Sequence, residues 1–498
     1  MIIAHDLGTS GNKASLHEDD GRLLDSVTVS YPTDYRHGGI AEQDPRDWER
    51  AVIDATRRLV RQAGVQASRV SGLVVSGQMM GAVLLDHRYE PVRPAIIWAD
   101  TRAHAQAERL SDLVGAARAY EILGHRVDPT YSLAKLMWIR EHEPESWARS
   151  RHVCIAKDFV VHRLTGVLAT DRSDASSTNA YDQAAGTWSS PILEAAGVDE
   201  SLFPPILEST QVVGAVRDDV AEEMGLPRGV HVVMGGGDGP TAAVGAGRVS
   251  PDTAPYVCLG TSSWISFASA SPLHDERQRT FTFDHVVPGL FVPTATMQSS
   301  GASIDWAYEV LSADGGSPPL PELISAAGAD DVDTGNLYFL PYLLGERSPH
   351  WAPDARGAFL GIERHHHREH MMRAVLEGIG FNLALCLEAF AQSGRTIESI
   401  DAIGGGAASD QWLQILADIW CIPVHRRSVV EEANSLGAAV TAAVGLGLTD
   451  FDAARDLSHV VADFSPDPRR SEIYAERLPR FRDAFSALSR WFHSTREA

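Results

Sequence analysis

At 498 residues the chain is too long for one ordinary hydrophobic core, so two domains with a ligand-sized cleft between them are expected. Its 44% hydrophobic and 22% charged residues, without a low-complexity tract, describe a chain that folds throughout. A formal net charge of −23 with no Lys/Arg cluster argues against a nucleic-acid or anionic-membrane partner.

In chain order, the β-like run Ile2-Ile3-Ala4-His5 ends at Asp6 and passes through Leu7-Gly8-Thr9-Ser10 into a second run, Lys13-Ala14-Ser15-Leu16: a β-hairpin with a Gly-Thr-Ser turn. Asp44-Pro45 opens a helix through Trp48, Val52, Ile53 and Leu59, with Asp as cap and Pro at the first turn. Gly72-Leu73-Val74-Val75-Ser76 reads as a short buried strand. His231-Val232-Val233-Met234 is another, running into Gly235-Gly236-Gly237 and Asp238, with Pro240 marking a helix start. Gly, Ser and Pro over 247–252 interrupt the pattern, dividing the chain into 1–247 and 248–498.

The second half then echoes the first. Leu259-Gly260-Thr261-Ser262 repeats the earlier tetrapeptide at an offset of 252 residues, again between strand-like runs. A polar loop, His365-His366-His367, enters an amphipathic segment over 373–390; adjacent histidines cannot share one helix face, and the H-E-x-x-H order of a zinc site is missing. Ala402-Ile403 runs into Gly404-Gly405-Gly406, followed by a helix over 412–420. The apolar stretch 435–448 falls short of a membrane span and reads as a packed helix, and the chain closes with a helix over 479–492. Cys154, Cys258, Cys386 and Cys421 have no metal-ligand or redox spacing, and the segment before Asp6 is too short and polar for a signal peptide, so a reduced, cytoplasmic protein is expected.

Several of these places suit phosphate chemistry. A hairpin glycine that lets N–H groups point outward, beside Thr and Ser hydroxyls, forms an anion nest; alone, it is equally a tight surface turn. Two nests facing each other would grip one polyphosphate. Asp6 either caps its turn or holds Mg²⁺ against phosphate oxygens. Asp238 is either a helix-entry carboxylate or a catalytic base that accepts a hydroxyl proton, kept ionised by the helix dipole. Gly404 to Asp410 fits a nucleotide lying on bare backbone, or close helix-strand packing. The phosphate-loop motif G-x-x-x-x-G-K-[ST] is absent, since the only lysines are Lys13, Lys135 and Lys157 and none follows a glycine. Gly237 to Ala242 fits G-x-G-x-x-A, but no second strand with an acidic end follows at the distance a dinucleotide site requires.

Taken together these segments resemble the FGGY carbohydrate kinases. The likeness also rests on Gly77-Gln78-Met79-Met80-Gly81, Trp98-Ala99-Asp100-Thr101-Arg102, Lys157-Asp158-Phe159, Asp174-Ala175-Ser176 and Gly301-Ala302-Ser303, and above all on Leu340-Pro341-Tyr342-Leu343-Leu344-Gly345-Glu346-Arg347-Ser348-Pro349 with Arg356-Gly357-Ala358-Phe359. It implies an α/β fold of two ribonuclease-H-like domains, as in the actin, hexokinase and Hsp70 superfamily, around an interdomain cleft, with ATP and Mg²⁺ as cofactors and a small sugar as partner. The first domain would bind sugar and carry the base, and the second would bind nucleotide. It further implies Asp238 as base, Asp6 at the metal, and Gly8, Thr9, Ser10, Lys13, Gly260 and Thr261 at the phosphates. Gly405, Gly406, Ser409 and Asp410 would meet the nucleotide; Gln78, Met79, Met80, Trp98, Asp100 and Arg102 would meet the sugar.

Within the family the sugar-side segments are most similar to xylulokinases, which makes D-xylulose the expected acceptor. Met80 stands where xylulokinases commonly carry His, and Gly239 where Asn is frequent, so another ketose, a deoxysugar, a polyol or an aldonate stays open. A nucleotide-dependent chaperone or filament protein and a sugar-binding pseudokinase are the rival readings, and a homodimer is left open.

Overall fold

A computed structural model describes residues 1–62, 67–312, 318–329, 331–428 and 432–494. In the first half, strands β1 (Ile2–Leu7), β2 (Gly11–His17) and β3 (Leu23–Ser30) run antiparallel, helix α1 (Pro45–Gln62) follows, and β4 (Gly72–Gly77) returns parallel to β1. β5 (Val212–Ala215) and β6 (His231–Val233) complete a sheet of order β5-β6-β4-β1-β2-β3, and helix α2 (Asp238–Gly245) follows. The second half opens with β7 (Tyr256–Leu259), β8 (Ser263–Ser266), β9 (Phe281–Asp284) and β10 (Phe291–Met297), then helices α3 (Gly301–Leu311) and α4 (Arg368–Gln392). It closes with β11 (Ile400–Ile403), α5 (Asp410–Trp420), β12 (Val424–Arg427), α6 (Ala433–Gly445), β13 (Val460–Phe464) and α7 (Pro468–Ser494).

The second sheet has the order β9-β10-β8-β7-β11-β12-β13. In each sheet three antiparallel strands carry two parallel ones beside the first: β3-β2-β1-β4-β6 and β10-β8-β7-β11-β12. This is the ribonuclease-H-like plan, built twice, and the two Leu-Gly-Thr-Ser copies occupy equivalent hairpins, β1-β2 and β7-β8.

Local chemistry accounts for the elements that matter to the site. Asp44 starts α1: its carbonyl accepts the Asp47 N–H at 2.9 Å and its carboxylate the Arg46 N–H at 3.0 Å, while Pro45 has no N–H to lose. Trp48, Val52, Ala55 and Leu59 recur at helical spacing and are buried with Ile3, Leu7, Leu73 and Val75 on one face of the first sheet. Each large aliphatic side chain sealed this way contributes about 1.5–3 kcal/mol.

The opposite face of that sheet is covered from the far half of the chain. Ala438, Ala439, Ala442 and Ala443 of α6 pack on Ile2, Ala4, Val74 and Val233. Conversely α2, from the first half, sets Ala242, Ala243 and Ala246 against Tyr256 and Ile403 of the second sheet. Each half therefore lends a small-residue helix to the other. The two helices cross at backbone contact: a Cβ on Gly437 would lie 1.9 Å from the Thr241 carbonyl oxygen, and one on Gly245 would lie 1.7 Å from that of Ala433.

Helix α4 is long and apolar enough to cross a membrane by length and composition alone, yet 83% of its most apolar window is buried inside the fold. It is the central helix of the second core, through Met372, Val375, Ile379 and Phe381. The histidine run precedes it as a polar entry loop, and the His367 N–H donates to His370 Nδ1 at 3.2 Å.

Candidate active site

The parallel register brings two carboxylates, Asp6 and Asp238, to the carboxyl end of the first sheet. Asp6 pairs with Ser76 and Leu7 with Gly77, and Gly77 bridges in turn to Gly237. Asp238 thus stands one residue beyond the row Leu7–Gly77–Gly237, at the carboxyl ends of parallel strands, where ligands of open α/β sheets bind. Two strand spacings separate β1 from β6, about 10 Å between backbones. The two acids feel each other across this gap: burial, and then the charge of Asp6, push Asp238 up to about 7. Asp6 is itself raised, by burial first, against a hydrogen bond from Asn434 and the charge of Lys13. The expectation that the helix dipole keeps Asp238 ionised needs correcting. The Gly239 N–H does donate to Asp238 Oδ1 at 2.8 Å, but desolvation and a like charge outweigh it.

The first Gly-Thr-Ser hairpin is held from behind by three hydrogen bonds. Gly8 N–H donates to the Gly11 carbonyl at 3.0 Å, Tyr31 Oη to the Gly8 carbonyl at 2.5 Å, and Gln43 Nε2 to the Thr9 carbonyl at 2.6 Å. Thr9 Oγ1 accepts from Trp98 Nε1 at 2.9 Å, joining the expected phosphate turn to the expected sugar wall. Ser10 lies exposed at the turn. Lys13, on the strand beside Asp6, pairs with Glu432, whose other oxygen, Oε2, is buried without a partner among the described residues. Ser76 Oγ donates to Asn434 Oδ1 at 2.9 Å, so the start of α6 closes over the Asp6 strand end.

In the second hairpin the Gly260 N–H donates to the Ser262 carbonyl at 3.0 Å. The Gly260 and Thr261 carbonyls accept the N–H groups of Gly301, Ser300 and Ala302 at 2.9, 3.0 and 3.1 Å, which seats the start of α3 on the turn. Of the glycine triplet, Gly404 (φ +86°) and Gly406 are there for packing: a Cβ would meet Leu259 backbone oxygen at 2.7 Å and the Trp412 ring at 2.3 Å respectively. Gly405 is exposed and a Cβ there would meet nothing within 4 Å. Ser409 Oγ accepts the Trp412 N–H at 3.2 Å as the cap of α5, and Asp410 is paired with Arg426 at 2.6 Å.

On the sugar side, Met79 lies buried with Tyr131 and Phe283 and supports Gly237, where a Cβ would come within 2.6 Å of its sulfur. Met80, at φ +64°, turns the chain; its N–H donates to Ser177 Oγ at 3.3 Å and its carbonyl accepts Lys135 Nζ at 2.8 Å. Gln78 Nε2 donates to Gln43 Oε1 at 2.8 Å, leaving its own oxygen buried and without a partner. Trp98 is 38% exposed. Asp100 and Arg102 are turned inward instead. Asp100 is fully buried and accepts the Ala41 N–H at 2.7 Å and Arg102 Nη2 at 2.6 Å, and Arg102 also pairs with Glu42 at 2.8 Å and lies over Trp138. They brace the Trp98 loop from beneath.

Below Asp238 sits a sealed ionic cluster. Lys157 Nζ lies 2.8, 3.2 and 3.4 Å from Asp158, Asp171 and Asp174, all fully or almost fully buried. Asp171 Oδ2 accepts from Ser173 Oγ at 2.5 Å, and Ser173 Oγ accepts the Gly237 N–H at 3.0 Å, fixing the backbone that presents Asp238. Sequence reasoning missed Gln43, Tyr131, Lys135, Phe283, Glu432 and Asn434. One signal was available: the chain has three lysines, and all three, Lys13, Lys135 and Lys157, support this region, the last two fully buried.

Residues 1–245 match the N-terminal domain, and residues 256–446 the C-terminal domain, of the FGGY family of carbohydrate kinases. A relative named xylulose kinase from Escherichia coli (strain K12) is 34% identical over 490 residues, 98% of this chain and 99% of that protein. Among solved structures, ligand-bound xylulose kinase from Lactobacillus acidophilus superposes with a TM-score of 0.93 at 26% identity, covering 99% of both chains. Gluconate kinase from the same organism gives 0.92 at 25% identity, again over 99% of each.

Proposed function

This chain belongs to the FGGY family of carbohydrate kinases, and from that premise we propose that it transfers the γ-phosphate of ATP to a hydroxyl of D-xylulose. The observation that supports the reaction is the pair of acids at the carboxyl ends of parallel strands, Asp6 and Asp238, each raised by burial, in a chain whose two glycine hairpins hold equivalent positions in the two sheets. Asp238 accepts the proton of the acceptor hydroxyl and aligns its oxygen with the terminal phosphate. Thr9, Ser10 and Lys13 on one side and Gly260 and Thr261 on the other hold the phosphates through N–H, hydroxyl and ammonium groups. The nucleotide lies on the second half, against exposed Gly405, and the sugar on the first, between Trp98 and the Met80 turn. Water is excluded as a competing acceptor when the halves close.

Asp6 and Glu432 Oε2, which has no partner among the described residues, are the hard oxygen donors that would hold a magnesium ion at the Asp6 strand end, with phosphate oxygens and water filling the remaining positions. Mg²⁺ bound there would neutralise charge on the phosphate oxygens. The rest of the chemistry belongs to the chain's own groups. The reading also places the protein in the cytoplasm, with four unpaired cysteines.

D-Xylulose is preferred over an aldonate because relatives named xylulose kinase are 32% and 34% identical to this chain over nearly its whole length, against 27% for a relative named gluconokinase. ADP release across ketoses, polyols and aldonates tests the substrate: the highest kcat/KM on gluconate would overturn it. Asp238→Ala tests the mechanism. It should lower kcat by about 10²–10⁴-fold while ATP affinity stays within a few fold, and turnover close to wild type would remove Asp238 from its role.

A further inference from the structure

Away from Asp6 and Asp238, a cavity of about 570 Å³ opens where both halves meet, within the range of small-molecule sites. Four arginines line it, Arg126, Arg277, Arg279 and Arg482, against a single acidic residue, Glu388, in a chain whose net charge is −23. Arg126 comes from the first half and the other three from the second. Arg279 and Arg482 have carboxylate partners, Asp275 and Glu388, both at 2.6 Å, which fix their forks in place. Arg126 has none among the described residues: its Nε and Nη2 donate to the carbonyls of Gln278 at 3.0 Å and Arg277 at 3.2 Å, and its guanidinium lies 5.6 Å from the Trp351 ring centre. Deeper in the wall His350 stacks on Phe485 at 4.2 Å, and its Nε2 is sealed from solvent without a partner. Converging arginines beside an aromatic face and an unspent ring nitrogen match a small, doubly charged oxyanion attached to a polar body.

We propose that this cavity is a second ligand site, distinct from the catalytic cleft, that binds a phosphate monoester between Arg126 of the first half and Arg277, Arg279 and Arg482 of the second. A ligand there ties the halves together, since its phosphate bridges cations from both. The site does not depend on which sugar the enzyme phosphorylates.

The test is calorimetric titration with glycerol 2-phosphate as probe, on protein whose catalytic cleft is filled with D-xylulose and the non-hydrolysable ATP analogue AMP-PNP. Binding in the millimolar range or tighter is expected, at least about tenfold weaker in Arg277→Ala and in Arg482→Ala, and unchanged in Asp238→Ala. Both arginine positions are at the surface of the cavity, and circular dichroism establishes that the variants fold. The proposal fails if the probe does not bind at millimolar concentration, if both arginine variants bind it as the wild type does, or if binding is abolished by filling the cleft.

Discussion

Asp238 meets two demands that pull in one direction. A general base serves best when its pKa lies near the working pH, and burial together with Asp6 sets this carboxyl at about 7. Only the ionised form accepts the hydroxyl proton, so kcat/KM for the sugar should fall about tenfold per unit as pH drops below about 7 and level off above it. A profile flat down to pH 5 would mean that another group is the base. The acid itself was legible in the sequence, through the glycines before it and Pro240 after. Its proton affinity was not, because that is set first by burial in the folded chain and then by Asp6, some 230 residues away. Asp100 and Arg102 show the same limit. Their spacing marks a site, but only the fold shows that Glu42 and Ala41 turn them inward to hold Trp98.

At the scale of the element, a glycine triplet that admitted two readings resolves into a division of labour. Gly404 and Gly406 let the turn after β11 pack against Leu259 of β7 and Trp412 of α5, and Gly405 faces open space. Gly406→Ala should therefore cost about 1–3 kcal/mol, seen as a lowered melting temperature, because Trp412 and Leu259 must yield. Gly405→Ala should leave stability nearly unchanged and raise KM for ATP, since the added methyl stands where the nucleotide is proposed to lie. Equal melting temperatures in the two variants would refute the division. The hairpins, α1 and α5 could be placed from periodicity and turn residues, whereas α4, expected to be amphipathic, is buried on nearly every side from Met372 to Cys386. The roles of α2 and α6 could not be placed in this way. Helices of Ala and Gly carry almost no amphipathic signal, and nothing local says which sheet they cover.

For the molecule as a whole, the exchange of α2 and α6 makes the halves interdependent. A fragment of residues 1–247 lacks the alanine face that covers Ile2, Ala4, Val74 and Val233, and the complementary fragment lacks α2 over Tyr256 and Ile403. Expressed alone, the first fragment should be insoluble or bind hydrophobic dyes; co-expressed with 248–498 it should be recovered as a soluble pair. A soluble, cooperatively melting fragment on its own would contradict this.

The scarcity of lysine has a practical consequence for labelling. Lys135 and Lys157 are fully buried, the terminal amine is enclosed and bonded to Asp19, and only Lys13 keeps about 31% of its side chain accessible. A succinimidyl ester should attach one dye per chain, at Lys13, and ATP should slow the coupling, with peptide mass mapping as the readout. A 498-residue enzyme would then carry a single fluorophore on the strand beside Asp6 without one engineered residue.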